Sequence, residues 1–411
     1  MPSSRRDRPQ GTDSTTVPAV ATLSPWATPT DVEAYALAEL AEYINDELNP
    51  YAVDRDEACT PIPREVFEHL SRIGVLGYLI PRPGGGLGGS RRVFGLLLEQ
   101  IGFLCQDLSF ATMLAMYADV PNVIYRAHRR TLIDDYVRPM ATGEKLGTFA
   151  YTDYGDAFDF QTRVVRKGDQ FVVTGVKCLQ TGGVHADVFV TYARDEKDDM
   201  RVLLVDRNDP GVRTTPVRTV GLRSAGLTRL ELDGVVLDAE RDLSGSDGLA
   251  DAQMFLNSRR MFIVCPLVGA MRYIIETCVR HLDTVIREGR PLTEAQTVQA
   301  RLGSMYAKQV TSRAILHDAL DRIGRGEINE MFDPTISAAK YVITENVMNV
   351  CERAIRLTGW RGQSHELPFQ LIYRSSMAAL TGQTPQDLLE INLGVIATSH
   401  VRLRDEIRKR S

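Results

Sequence analysis

Near its C-terminus the chain reads Leu367-Pro368-Phe369-Gln370-Leu371-Ile372-Tyr373-Arg374, then Thr381-Gly382-Gln383-Thr384-Pro385-Gln386. The second stretch joins helical runs and carries no acid. Gln383 offers an amide, which has no basic site near neutral pH, and Gly382 offers no side chain. The helical period holds on either side of it. Pro385 to Arg408 reads as a helix, preceded by helical runs from Asp333 to Leu357 and from Thr293 to Ile323. Phe255 to Ile286 reads as one long helix or two, and Gly324, Gly326 and Gly359 supply the breaks. Upstream, between about Leu146 and Asp247, the period changes to two. Phe171 to Val176, Val188 to Tyr192 and Val202 to Val205 read as strands, with turns at Gly168-Asp169 and Asp209-Pro210-Gly211. Before them, Thr30 to Gly143 is helical again, with Thr30 or Asp31 as a first N-cap.

Bulk properties set limits. The 411 residues suffice for two or three domains, and the 44% hydrophobic and 25% charged fractions suit a globular protein. A net charge of -5 argues against a nucleic-acid partner. No apolar run reads as long enough to span a bilayer, so no membrane is expected. The six cysteines are scattered without a C-x-x-C pair, which points to reduced, buried thiols in a cytoplasmic protein and to no metal site. Ser4-Arg5-Arg6 lacks the apolar core of a signal, and residues 1–29 read as a disordered tail rich in Pro, Ser and Thr.

Gly84-Gly85-Gly86-Leu87-Gly88-Gly89 fits G-x-G-x-x-G. A dinucleotide-binding reading needs Val75 to Ile80 to be the first strand of a βαβ unit. Helix follows helix here, so the expectation is a flexible glycine turn.

Taken together, these stretches resemble the acyl-CoA dehydrogenase family over roughly residues 30–405. That resemblance implies an α+β fold. It has an N-terminal helical domain (30–143), a central β-barrel or sandwich domain (144–247) and a C-terminal four-helix bundle (248–411). In the family a proline leads to an Arg, as Pro368 leads to Arg374, and a Glu-Gly-Thr follows whose carboxylate takes the substrate α-proton. The ungapped register puts Gln383 at the base, and the register that matches Thr384 puts Gly382 there. Some members place the Glu just before an Arg on an earlier helix, where this chain has Ser258 before Arg259. The resemblance thus gives Gln383, Gly382 and Ser258 the base positions, none of them acidic. Asp119, Asp153 and His365 are candidate substitutes.

The same resemblance implies FAD. Tyr151-Thr152-Asp153 matches a strand end that contacts the flavin pyrimidine ring, with Asp153 in place of Glu. Gly175 to Gly183 matches a segment whose Thr, here Thr181, bonds flavin N5 and whose aromatic cover is replaced by Leu179. Arg287, Arg290 and Gln296 resemble a segment that binds FAD pyrophosphate across a dimer interface, although its Phe-Gly pair is missing. Gly359-Trp360-Arg361-Gly362 resembles a glycine turn on the adenosine side, and Thr384 and Gln386 would touch the flavin diphosphate region. On the substrate side stand Phe158, Asp159 and Arg374. Phe158 replaces a Ser that helps hold CoA, and Asp156 adds negative charge, so CoA is disfavoured against an acyl group on a carrier protein or a free small molecule.

The implied activity is oxidation of an acyl thioester by a homodimer or homotetramer, in specialised metabolism. The alternatives are a flavin monooxygenase or oxidase, or a non-redox scaffold.

Overall fold

The computed structural model describes residues 31–155, 160–244, 248–328 and 332–410. The tail expected over residues 1–29 falls outside the described residues, as do Asp156, Phe158 and Asp159.

Seven helices come first: α1 (Asp31–Tyr43), α2 (Ala52–Ala58), α3 (Arg64–Arg72), α4 (Arg91–Leu104), α5 (Leu108–Arg126), α6 (Arg130–Leu132) and α7 (Arg138–Ala141). Local chemistry sets their starts. The Ser90 side chain accepts the Val93 N–H to cap α4, and Asp107 accepts the Ser109 N–H to cap α5. The apolar stripe of α3 buries Val66, Phe67 and Leu70, and α5 is buried along most of its length. No strand forms between Val75 and Ile80, and turns lead into the glycine run instead. That run is not the flexible turn expected. A Cβ on Gly86 would stand 2.3 Å from the Ile80 carbonyl oxygen, and one on Gly89 would stand 2.2 Å from the Tyr78 ring. Close packing demands these glycines.

The central domain is one seven-stranded sheet curled into a half-barrel. Its strands are β1 (Gly147–Ala150), β2 (Arg163–Lys167), β3 (Gln170–Gln180), β4 (Val188–Arg194), β5 (Met200–Asp206), β6 (Val212–Pro216) and β7 (Thr228–Asp238). Their order is β1-β4-β2-β3-β7-β6, with β5 antiparallel on β4. β1 runs parallel to β4, pairing Gly147 with Val188 and Ala150 with Thr191. Phe171, Val173, Leu230 and Leu232 form part of a core that belongs to the sheet alone.

The helical period returns in α8 (Gly248–Thr284), a single helix that continues through Pro266. A hairpin of β8 (Ile286–Arg287) and β9 (Arg290–Pro291) follows, then α9 (Gln296–Gly324) and α10 (Pro334–Thr358). The chain closes with α11 (Trp360–Gln363), α12 (Phe369–Ser376), α13 (Ala378–Thr381) and α14 (Gln386–Arg410). Pro334 at the first turn and the Asp333 carboxylate, which accepts from Thr335 and Ile336 N–H, start α10. α8, α9, α10 and α14 pack as the bundle, and α4 lies along α8. A second apolar core is thereby shared by both helical regions, from Leu37 to Ala379.

The expectation that no apolar run reaches membrane length needs correction. By length and composition, Leu256–Thr284 within α8 could cross a bilayer, and 67% of its most apolar window is buried inside the protein. Its length and apolar content come from its place in the protein core, while Arg272, Glu276 and Arg280 give it one solvent-facing charged edge.

Candidate active site

The ends of β1 and β3 meet. The Cys178 N–H donates to the Thr152 carbonyl at 2.8 Å, and the Thr148 hydroxyl donates to the Thr181 carbonyl at 2.6 Å. From α5 the Tyr117 hydroxyl donates to the Gly182 carbonyl at 2.6 Å. These bonds set Thr152 and Thr181 on neighbouring chain ends, Thr152 exposed and Thr181 half-buried. Leu179 is 41% exposed beside them. Tyr151 is half-buried, edge-on to Phe160 and Tyr192 with ring centroids 4.8 and 5.0 Å away.

A buried ion pair holds this corner. Lys177 Nζ lies 2.7 Å from Asp153 and donates to the Tyr151 carbonyl. Asp153 also accepts from the Thr162 N–H and hydroxyl, at 2.7 and 3.0 Å. Burial pushes the Lys177 ammonium down to about 8, against the pull of Asp153. Asp153 is thus a structural anchor.

Ser258 is buried on α8, and the two residues after it tie its turn to other parts of the site. The Arg259 guanidinium lies 4.0 Å from the Phe149 ring centroid on β1 and contacts Met116 of α5. Arg260 donates from Nε to the Thr384 hydroxyl at 3.0 Å and from Nη1 to Asn257 at 2.7 Å. Burial pushes both guanidiniums down to about 10.

The loop after α13 is clamped from two sides. Gln383 and Thr384 have φ of 54° and 94°, left-handed values that a β-branched residue rarely adopts. From α10, Lys340 Nζ donates to the Ala379 carbonyl (2.6 Å), the Thr384 carbonyl (2.8 Å) and Gln386 Oε1 (2.9 Å). Lys340 escaped the sequence reading. Its signal was a lysine on the buried stripe of Ile336, Ile343, Val347 and Val350. The Gln386 Nε2 donates to Tyr341 O and Glu345, so this amide is spent inside the bundle rather than offered to a flavin diphosphate.

Other expected residues stand elsewhere. Arg374 forms a two-pronged pair with Asp56 of α2, at 2.6 and 3.3 Å, and donates to Val220 O of the β-domain. It joins three regions of the chain, so its guanidinium is committed to the fold and not to substrate. Arg287 and Arg290 face each other across the exposed β8–β9 hairpin, and exposed Gln296 starts α9. Gly359 ends α10 with φ of 63°, and Gly362 packs against Ile355 and Thr358. Of the substitute bases, Asp119 is fully buried and pairs with Arg91 at 2.9 Å, while His365 pairs with Glu57 at the surface. Neither joins the Thr152, Ser258 and Gln383 groups through a described bond.

Three family models match in order: the acyl-CoA dehydrogenase N-terminal domain over residues 30–144, the middle domain over 148–235 and the C-terminal domain over 246–385. A cyclohex-1-ene-1-carbonyl-CoA dehydrogenase of Geobacter metallireducens is 25% identical over 347 residues, 82% of this chain and 90% of the relative. The prolyl acyl carrier protein oxidase AnaB superimposes with a TM-score of 0.82 at 19% identity, covering 90% of this chain and 100% of that one. A glutaryl-CoA dehydrogenase from Mycobacterium smegmatis, in complex with FADH2, gives 0.82 at 22% identity over 90% and 95%. Members of the acyl-CoA dehydrogenase family bind FAD, and the relatives found are oxidoreductases of acyl thioesters. This chain belongs to the acyl-CoA dehydrogenase family.

Proposed function

We propose that the chain is an FAD-dependent oxidoreductase acting on a carrier-protein-bound or otherwise atypical acyl thioester, in specialised metabolism. One observation carries this reading: the β1 and β3 ends, the Ser258–Arg260 turn of α8 and the Gln383–Thr384 loop converge from distant parts of the chain. Exposed Thr152 and Leu179 and half-exposed Thr181 form an edge of methyl, hydroxyl and backbone groups suited to a planar ring. FAD, when bound, supplies the hydride-accepting chemistry. Tyr151, Thr152, Leu179 and Thr181 would hold it. Arg260 bonds the Thr384 hydroxyl and Arg259 lies against Phe149 of β1, so two guanidiniums flank the site and favour negative charge developing on a thioester oxygen. None of Gln383, Gly382 or Ser258 takes an α-proton unaided.

The carrier-protein reading draws on Phe158 and Asp156, which weaken a CoA phosphate site, and on the likeness to AnaB, named as an acyl carrier protein oxidase. A second reading, an oxygen-using flavoenzyme, draws on Leu179, which is exposed where the family has an aromatic cover. The proposal of a homodimer or homotetramer draws on reach. At about 1.5 Å per residue, Gly359 lies roughly 28 Å from Lys340 along α10, and Thr284 lies roughly 39 Å from Ser258 along α8. The Arg287 and Gly359 elements are therefore remote from their own chain's strand-end site and suit a neighbour's cofactor. Exposed Ile391 and Val395 give α14 a face for a second copy. Six free cysteines and a buried α8 fit a cytoplasmic setting.

Absorbance of the purified protein after incubation with FAD and desalting tests the cofactor assignment. Retained flavin bands are expected. Protein that stays colourless would sink the assignment.

A further inference from the structure

Lys340 is fully buried, yet its Nζ meets three oxygens that lie on three pieces of chain. These are the Ala379 carbonyl in α13, the Thr384 carbonyl in the loop and the Gln386 amide oxygen at the start of α14. A neutral amine has two N–H groups, whereas an ammonium has three. Three acceptors in one buried shell therefore define an ammonium site. Between the tethered ends, Gln383 and Thr384 are held in left-handed backbone. Such conformations persist only where surrounding structure over-determines them. Arg260 completes the restraint from the opposite side by bonding the Thr384 hydroxyl.

We propose that Lys340 is a positioning residue for the reaction: its ammonium latches the Gly382–Thr384 loop between α8 and α10 and so fixes where the Gln383 amide and Thr384 hydroxyl stand at the active site. The inference rests on the reading of that loop as the flank of the catalytic site. The latch also has a built-in pH limit. Burial and Arg260 from α8 push the Lys340 ammonium down to about 7, while Glu345 on its own helix pulls the other way. α13, the loop and α14 present it with neutral oxygens. Loss of one proton leaves two N–H groups for three acceptors, and one tether opens.

The test uses the full-length protein with Lys340→Met, which removes the donors at similar length, and Lys340→Arg, which restores a cation that does not titrate in the working range. Peptide-resolved hydrogen exchange reads the latch without any need for activity. Lys340→Met should raise exchange at residues 380–386 at least tenfold, with the β-sheet peptides unchanged, and Lys340→Arg should recover much of the protection. In the FAD-loaded enzyme, Lys340→Met should lower kcat about tenfold or more with KM little changed. The wild-type kcat should fall as pH rises above about 7 to 8, and Lys340→Arg should flatten that limb. Unchanged exchange in Lys340→Met would overturn the latch. Raised exchange with wild-type kcat and pH profile would overturn its role in the reaction. If Lys340→Met does not fold, the pH limb of Lys340→Arg decides: a limb identical to wild type refutes the proposal. Absence of thioester oxidation by a flavin-loaded wild type would instead count against the functional reading, and the exchange result would still stand or fall alone.

Discussion

Under the proposed reading, Gln383 stands where a base would act. A positioned base contributes typically about a hundredfold to ten-thousandfold to a proton transfer, and an amide held at φ of 54° on a clamped loop supplies none of it. Gln383→Glu should therefore raise α,β-desaturation of a thioester by tenfold or more, measured as flavin-coupled product formation. If the wild type already desaturates ordinary acyl-CoAs well and Gln383→Ala leaves that rate intact, the base lies elsewhere and the loop is misread. The absence of an acid at this loop could be read from the sequence, because it needs only identities. The latch beneath it could not. Lys340 meets Gln386 across 46 positions and Arg260 meets Thr384 across 124, and no periodicity encodes such pairings. Arg374 shows the same limit. Its spacing from Pro368 drew attention, but its partner Asp56 lies 318 positions away.

At the level of elements, the strand ends are held by a buried charge pair, Lys177 with Asp153, each almost fully hidden from solvent. Breaking such a pair from one side leaves an uncompensated buried charge and costs about 3–5 kcal/mol. Asp153→Asn should thus lower the unfolding free energy by that amount, read as a lower urea midpoint at unchanged m-value, and adding Lys177→Met should return part of the loss. A cost below about 1 kcal/mol would mean that the corner is not anchored in this way. The sequence located β3, β4 and β5 and the four long C-terminal helices: β4 and β5 are continuous apolar runs buried on both faces, and the helices carry long apolar stripes. It passed over β1, β2, β6 and β7. Leu230 and Leu232 alternate correctly in β7, but Gly234 interrupts the pattern. The glycine run before α4 was rightly placed between helices, yet its rigidity depends on Ile80 and Tyr78, contacts that composition does not reveal.

Lys340, beneath the Thr384 loop, and the Gly359 turn lie towards opposite ends of α10. Under the proposed reading, they would serve two cofactors shared between copies. Sedimentation at micromolar concentration should give a dimer or a tetramer, and a monomer with full flavin occupancy would count against that sharing. The proposed reaction is oxidation of a carrier-bound thioester by a flavoprotein without a carboxylate at either family base position. Its most direct test is anaerobic titration of the FAD-loaded protein with matched acyl-carrier-protein and acyl-CoA thioesters, followed by flavin absorbance. The carrier-bound thioester should bleach the flavin band, and the CoA ester should bleach it little or not at all. Bleaching by the CoA ester alone, or by neither, would contradict it.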